Sequence, residues 1–455
     1  GINTLHPVVG NLPVPSAYSG QASPRSINVL HLKGISVGNH FHTPHRFTPI
    51  TASSLETFYN TTFGSWLQLL NVSGTLKSNY NYLNDVSCSS ISKTCVSVGN
   101  YQDRSKGKYY VPVVYYSQDA GVTWFPSLTL FPSQFLYTVS CSSVGDYCIA
   151  GGNTATRSGP LVYISLDYGR TWRPSTNFVT QAGDSYYNVQ KISCDTTGQT
   201  CTLVGFYKRK STLNTLEKNS LTSVINYLSP RPTGTIYPFS YSTINGGKQW
   251  TRTTAFPATG STQNYLNSVS CSASGKMCTT VGVYRTYENN IPRWWPLVYY
   301  TNNGGISWSK SALTNTTTND GSVSSIKLNS VGCNATGLNC VAFGLSYQIN
   351  DNFRDSDHLI AYYSLNGGKN WNTSATLPNP PESYCQSVSK RISNISCEPS
   401  GRVCSAVGSC AEKRKTTAAP INYITFDSGK SWQYNPSIVI PHSADYVMGI
   451  ALIQE

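Results

Sequence analysis

Six cysteine pairs in this chain share one spacing, C-x6-C: Cys88/Cys95, Cys141/Cys148, Cys194/Cys201, Cys271/Cys278, Cys333/Cys340 and Cys397/Cys404. A glycine follows the second cysteine at a constant offset, at Gly99, Gly152, Gly205, Gly282, Gly344 and Gly408. Each unit then closes on an eight-residue turn that ends in tryptophan. The turns read SQDAGVTW from Ser117, SLDYGRTW from Ser165, TINGGKQW from Thr243, TNNGGISW from Thr301, SLNGGKNW from Ser364 and TFDSGKSW from Thr425. A pattern that returns six times in 455 residues describes one repeat array rather than several unrelated domains.

Each unit parses into four short strands. Strand A carries the first cysteine and strand B the second. Strand C is an apolar run such as PVVYYS or PLVYYT, and strand D begins at the tryptophan. The units span about 83–128, 136–176, 189–253, 266–311, 328–374 and 392–437. Such a unit cannot bury both faces alone, so the units are expected to stack and close into a ring. Residues 1–27, rich in Pro, Ser and Gly, read as an irregular leader, and 28–455 as a single β-propeller domain. Residues 28–70 echo the repeat without its cysteine and read as a degenerate blade, and 444–454 as one more strand. Pairing the two gives seven blades and leaves no open edge. Six blades with flanking decoration is the alternative.

The turns resemble the Asp-box, or BNR repeat, S/T-x-D/N-x-G-x-x-W, and the resemblance covers roughly residues 83–437. Asp-box families are β-propellers and include sialidases, some xyloglucanases and the sortilin ectodomain. The resemblance implies an all-β fold of four-stranded antiparallel blades, with the box between strands C and D. It implies no particular activity. Asp119, Asp167, Asn245, Asn303, Asn366 and Asp427 are the box residues that accept hydrogen bonds from their own turns. The tryptophan fills space between neighbouring sheets.

Charged residues make up only 12% of the chain, against roughly 25% in an ordinary soluble protein. The net charge is +13, with a pI of about 9.0, which suits an acidic partner: a glycan, an anionic surface or an extracellular protein. No Lys/Arg run exceeds three residues, and no RRM-like or zinc-finger signature occurs, so nucleic acid is not favoured. Paired cysteines point to disulfides, an oxidising compartment and a secreted protein. C-x6-C is not a metal-ligand spacing. No apolar segment is long enough to span a membrane. The chain starts at Gly1 without a signal peptide, which is read as removed or as lying before the start.

Strand alternation places the Cys hairpins and box turns on one face of the ring, called the bottom, and the D–A and B–C loops on the other, the top. The two remaining cysteines, Cys385 and Cys410, both map to the top and are expected to pair. The top loops are basic. They hold Arg104, Lys106 and Lys108, Arg157, Lys208, Arg209 and Lys210, Arg285 and Arg293, and Lys413, Arg414 and Lys415. The fourth unit adds Tyr284, Tyr287, Trp294 and Trp295. Aromatic rings beside arginines suit a sugar or peptide partner; alternatively, the two tryptophans cap the apolar layer between blades. Three residues before each first cysteine stand Asp85, Thr138, Lys191, Ser268, Ser330 and Asn394, placed to ring the mouth of a central channel. Arg104, Lys108, Arg157, Lys191, Lys208, Arg209, Lys210, Tyr284, Tyr287, Arg293, Trp294 and Trp295 are the ligand-binding candidates.

Enzymatic readings find less support. The R-I-P motif of sialidases is missing, since Ile291-Pro292-Arg293 runs in the wrong order, and no glutamate has an evident tyrosine partner. Other glycosidases need two carboxylates across the scissile bond. Asp85 is the first candidate, with Asp103, Asp351, Asp355 and Asp357 as possible seconds. No G-x-S-x-G, H-E-x-x-H or P-loop occurs. His40, His42 and His45 form H-x-H-x2-H without a nearby carboxylate, so neither a metal nor a cofactor is expected. The sequence thus reads as a secreted recognition propeller binding a glycan or an extracellular protein through its top loops. The rival is a sialidase- or xyloglucanase-like glycoside hydrolase, or a lyase, acting at the channel mouth.

Overall fold

The computed structural model describes residues 32–40, 50–54, 65–68, 81–89, 91–103, 109–119, 124–209, 235–288, 291–313, 325–347, 349–350, 353–354, 358–380, 389–411, 418–435 and 445–454. Among the described residues there is no helix, and hence none that is long and apolar enough to cross a membrane.

Each of the six repeats forms a four-stranded antiparallel sheet in chain order, that of the fifth extended at its edge by Ala312–Leu313, which runs parallel to Asn370–Thr373, and together they form a β-propeller. The first strands, which face the axis, are Asn81–Cys88, Gln134–Cys141, Asp184–Cys194, Asn264–Cys271, Ser325–Cys333 and Ser389–Cys397. The repeats are numbered blades 1 to 6 in that order. Each pair of C-x6-C cysteines stands directly opposite across the A–B ladder, and all six are disulfide-bonded: Cys88–Cys95, Cys141–Cys148, Cys194–Cys201, Cys271–Cys278, Cys333–Cys340 and Cys397–Cys404. The bond closes a short hairpin and pins its register at the bottom of every blade. Cys410 is disulfide-bonded as well; its expected partner, Cys385, lies outside the described residues.

The disulfides do not lie on the bottom surface, as their hairpin position suggests. The second cysteine of each pair is buried: Cys95, Cys148, Cys201, Cys278, Cys340 and Cys404 are all at most 3% exposed. The first cysteine, on strand A, is only half-buried. The reason is the place of strand B. It is an inner strand, flanked by A and C, and its cysteine turns into the layer between neighbouring blades. Cys148 packs there with Val96 and Trp172, Cys201 with Ile149 and Trp250, and Cys278 with Val204 and Trp308. Cys340 packs with Val281 and Trp371, and Cys404 with Val341 and Trp432. These six sulfurs are core atoms, not members of a surface site.

The blade count is six and not the seven expected. The N-terminal strands and the C-terminal strand do pair, in the order Ser65–Gln68, Ile50–Ser54, Leu32–His40, Asp445–Gln454. That sheet lies against the first strands of blades 1 and 6. Its segments hold no cysteine and no S/T-x-D/N-x-G-x-x-W turn, so it lacks both pins of the repeat. The leader at 1–27 lies outside the described residues.

The cores lie between blades. Trp172 of blade 2 packs with Val96, Val98 and Val114 of blade 1, and Trp371 of blade 5 with Val281 and Val298 of blade 4. The turn before each tryptophan is locally satisfied. In blade 2 the Ser165 hydroxyl donates to Asp167 at 2.9 Å and accepts from the Gly169 amide at 2.9 Å. Asp167 accepts from the Thr171 amide at 2.8 Å. Gly169 sits at φ +83°, the left-handed region that glycine enters without steric cost.

One irregularity recurs in every blade. Strand A slips register at Leu83/Asp85, Leu136/Thr138, Val189/Lys191, Leu266/Ser268, Leu328/Ser330 and Ile392/Asn394. Each slip lies opposite the fixed glycine, which pairs with the residue just before it. The bulge presses strand A onto strand B. A Cβ on Gly152 would lie inside the van der Waals shell of the Phe135 carbonyl oxygen and 2.9 Å from Leu136 Cα. The glycine therefore makes room for the bulge, and the bulge re-aims the residue after it.

Candidate functional site

The re-aimed residues meet at the axis. Asp85, only 1% exposed, is the hub. Its carboxylate receives the Lys191 ammonium of blade 3 at 2.8 Å on both oxygens. Thr138 and the Val139 amide of blade 2 donate to Oδ2 at 2.9 and 3.0 Å, and Asn394 of blade 6 donates to Oδ1 at 2.8 Å. Its neighbour's amide, Val86 N, closes the set at 3.1 Å. One carboxylate thus ties four blades together. Two relays extend the ring, from the Ile192 amide to Thr138 and from the Val331 amide to Ser268. Asp85 and Lys191 are committed to each other here, and the Asp85 lone pairs face protein donors. This geometry suits a structural keystone better than an acid or base.

The top face above this hub carries two stacks of alternating cations and rings. In the first, the Arg157 guanidinium of blade 2 lies 5.6 Å from the Phe135 ring and 4.8 Å from the Tyr186 ring. Lys208 Nζ lies 4.5 Å from the same Tyr186 ring. Arg157 and Tyr186 are both at positive φ, +53° and +55°, although neither is glycine. Such backbone costs of order 1–3 kcal/mol and collects at functional sites. The Tyr187 amide donating to the Arg157 carbonyl at 2.8 Å fixes the two blades at this point. Tyr186 reaches the surface through a second irregularity in its strand, between Ser185 and Asn188, and remains 44% exposed.

The second stack runs over blades 4 and 5. Arg285 lies 4.9 Å from the Tyr287 ring and 5.1 Å from the Trp294 ring, and Lys327 Nζ lies 4.2 Å from Trp294. Nε and Nη2 of Arg285 are buried without a hydrogen-bond partner. Tyr265 extends this second row, 6.0 Å from Trp294, and lies edge-on to Phe206 at 4.9 Å. Trp295 and Tyr284 point to the other face of the sheet. They stack on each other at 6.4 Å, and Tyr284 packs on the core cluster around Leu266 and Tyr299. The two tryptophans therefore divide the alternatives: Trp295 caps the apolar layer, and Trp294 joins the cationic row.

Arg209 is tied to Asp184 at 2.9 Å, beside Arg252 at 2.7 Å on the other oxygen, in a pair whose carboxylate is fully buried. The Asp184 contact raises the Arg209 pKa further. Arg293 lies opposite Thr286 in blade 4. Arg104, Lys106, Lys108, Lys210, Lys413, Arg414 and Lys415 lie outside the described residues, as do His42, His45 and the side chain of His40. Burial pushes the Tyr137 phenol up, and the neighbouring Arg157 pulls it partly back.

A cavity of about 370 Å³ opens between blades 5 and 6, lined by His358, Thr373, Asn379, Lys390 and Tyr423. Desolvation lowers the Lys390 pKa there. Sequence reasoning singles out none of these residues. It also passes over Phe135, Tyr186 and Lys327, three of the eight residues of the two stacks, and Tyr265 beside Trp294.

No family model matches the chain, and no curated protein matches its sequence. Solved structures do. A GH74 xyloglucanase from Xanthomonas campestris is 10% identical, with a TM-score of 0.37, over 89% of this chain and 71% of that one. A polysaccharide lyase of family PL25, an ulvan lyase, is 11% identical, with a TM-score of 0.43, over 88% and 96%. An α-L-arabinofuranosidase from Fusarium graminearum is 13% identical, with a TM-score of 0.38, over 80% and 92%. These neighbours are propeller glycoside hydrolases and a lyase.

Proposed function

We propose that this is a secreted carbohydrate-recognition propeller, its turns Asp boxes, and that its top face binds an acidic glycan. The carrying observation is the pair of cation–ring stacks. Rings on which Arg157, Lys208, Arg285 and Lys327 rest restrict those long side chains before a ligand arrives, so less entropy is lost on binding. Repeated, preset cations match the repeated carboxylates or sulfates of an acidic polysaccharide, and the exposed Tyr186 and Tyr287 offer rings to sugar C–H groups. Ion pairs among the described residues join Lys191 to Asp85 and Arg209 and Arg252 to Asp184; Arg157, Lys208 and Arg285 belong to none of them.

The test is affinity electrophoresis in gels cast with a polyuronate, a sulfated polysaccharide or neutral xyloglucan. Retardation is expected in the acidic gels, falling with salt. Arg157→Ala/Lys208→Ala should weaken it about tenfold, from two cation contacts of about 0.5–1 kcal/mol each. Equal retardation in xyloglucan, or none lost in the variant, would count against the proposal.

A second reading is cleavage of that glycan, since the neighbours are glycoside hydrolases and a lyase, each named for a glycan of its own. Hydrolysis needs a pair of carboxylates, and Asp85 and Asp184 are already engaged. Elimination from a uronate needs a base and a cation to hold the carboxylate. Tyr137 beside Arg157 offers both, but burial raises the phenol, which keeps it protonated at neutral pH and unable to accept the proton, so recognition remains the main reading. Growth of the ultraviolet absorbance of an unsaturated uronate during incubation with polyuronate would reverse that order.

A further inference from the structure

The bottom face has no part in the proposed glycan site, and it is built as one plate. The disulfide hairpins bond from blade to blade: Ser143 N to Thr196 O at 2.8 Å, Thr196 N to Ala273 O at 3.0 Å, Ala273 N to Ala335 O at 2.7 Å and Ala335 N to Pro399 O at 3.0 Å. Each tryptophan turn from blade 2 to blade 6 bonds to its own hairpin, as in Gly246 N to Gln199 O at 2.9 Å and Gly367 N to Leu338 O at 2.9 Å. The backbone that carries the side chains at the tips of this plate is held in place by these bonds.

Those tips are aliphatic. Ile91, Val144 and Leu338 project from the hairpins, and Leu166, Ile244, Ile306 and Leu365 from the tryptophan turns; Ile244 is 80% exposed and Ile91 67%. A single exposed leucine means nothing. Here the apolar residues recur around five blades, at sites where the turn makes no demand. The turn uses its hydroxyl, its Asp or Asn, its glycine and its tryptophan. The position after the hydroxyl is unconstrained, yet it holds Leu166, Ile244, Leu365 and Phe426 in four of six turns.

The acids of the same plate are bonded within their own turns: Asp167, Asp195 and Asp427 accept from turn amides, and the exposed Asp119 and Asp146 accept from the Ser117 and Ser142 hydroxyls. The cations extend outward: Arg170, Lys248, Lys276, Lys369 and Lys430 are all exposed. Aliphatic tips set among outward cations are the make-up of a surface that seats at a lipid–water boundary, where buried apolar area and attraction to anionic headgroups add. A second copy of this chain would bring like charges together across the same face.

We propose that the bottom face docks on an anionic lipid bilayer, the aliphatic tips entering the headgroup layer and the lysines pairing with phosphates. The glycan face then points away from the membrane.

The experiment is co-sedimentation of the full, oxidised chain with phosphatidylcholine vesicles with and without phosphatidylglycerol. Binding is expected only with the anionic lipid and should weaken with salt. Ile244→Ser/Leu365→Ser and Lys248→Gln/Lys369→Gln should each reduce it about tenfold. These tips are exposed, and an unchanged melting profile verifies the fold. Arg157→Ala/Lys208→Ala should leave vesicle binding intact, so failure here is separable from failure of the glycan reading. No preference for anionic vesicles, or binding indifferent to both pairs of substitutions, overturns the proposal. A dimer in sedimentation velocity that Ile244→Ser dissolves, without vesicle binding, would assign the face to a second copy and overturn it too.

Discussion

Asp85→Ala should lower unfolding stability by about 3–5 kcal/mol, the cost of removing one partner from a buried ion pair. The loss is expected to exceed that of an ordinary surface substitution because Asp85 serves four blades at once. Its removal strands the Lys191 ammonium, 20% exposed, among groups arranged to meet a carboxylate. Asp85→Asn keeps the shape and some of the hydrogen bonds but offers Lys191 no charge, so its loss should be smaller. Asp85→Ala/Lys191→Met removes both charges and should recover part of the deficit. Denaturant melts of the four proteins decide the matter. If Asp85→Ala unfolds at the wild-type midpoint, the axial hub is not what holds the blades in register.

The architecture is legible in the sequence because it is repetitive and its signals are local. The C-x6-C pairs, the glycine and the tryptophan turn each mark one strand end, and counting them locates six blades. The count fails where those signals stop. Residues 28–70 alternate as strands do, and their sheet with 445–454 exists, but without hairpin disulfide or tryptophan turn it is no copy of the repeat. Spacing also pairs Cys148 with Cys141 but does not reveal that Cys148 is a core residue beside Trp172, because that depends on the neighbouring blade. The axial ring is legible too, as the position three before each first cysteine. Its mechanism is not: the fixed glycine and that position are two halves of one bulge, and only the register shows it.

The top face is half legible. Arg157 stands in a loop that departs from the repeat, which is where sequence reasoning looks; Lys208, Tyr287 and Trp294, expected in loops as well, stand instead in the lengthened strands Cys201–Arg209, Cys278–Glu288 and Ile291–Thr301. Phe135, Tyr265 and Lys327 stand inside strand A, six residues before the first cysteine. Comparing that column across the units shows Tyr82, Phe135, Asn188, Tyr265, Lys327 and Arg391, so a signal is available there. Tyr186 leaves none. Its exposure depends on a positive φ that nothing in DSYYNVQ announces, since the usual glycine or asparagine is not at that position.

Replacing Gly152 by alanine should cost about 3 kcal/mol or more, because the added methyl meets backbone rather than a side chain that can swing aside. Its nearest neighbours would be the Phe135 carbonyl and Leu136 Cα. Relief requires strand A of blade 2 to retreat, and that strand carries both machines of the molecule. Thr138, just past the bulge, donates to Asp85 at the hub. Phe135, just before it, supports Arg157 in the first stack. Gly152→Ala should therefore lose stability and weaken retardation by acidic glycans together. Gly159→Ala is the control: its Cβ would meet only Thr180 Cγ2, at 3.5 Å, and stability should stay within about 0.5 kcal/mol of wild type. A Gly152→Ala protein as stable as Gly159→Ala would mean that the bulge tolerates a side chain. The constant glycine would then need another explanation.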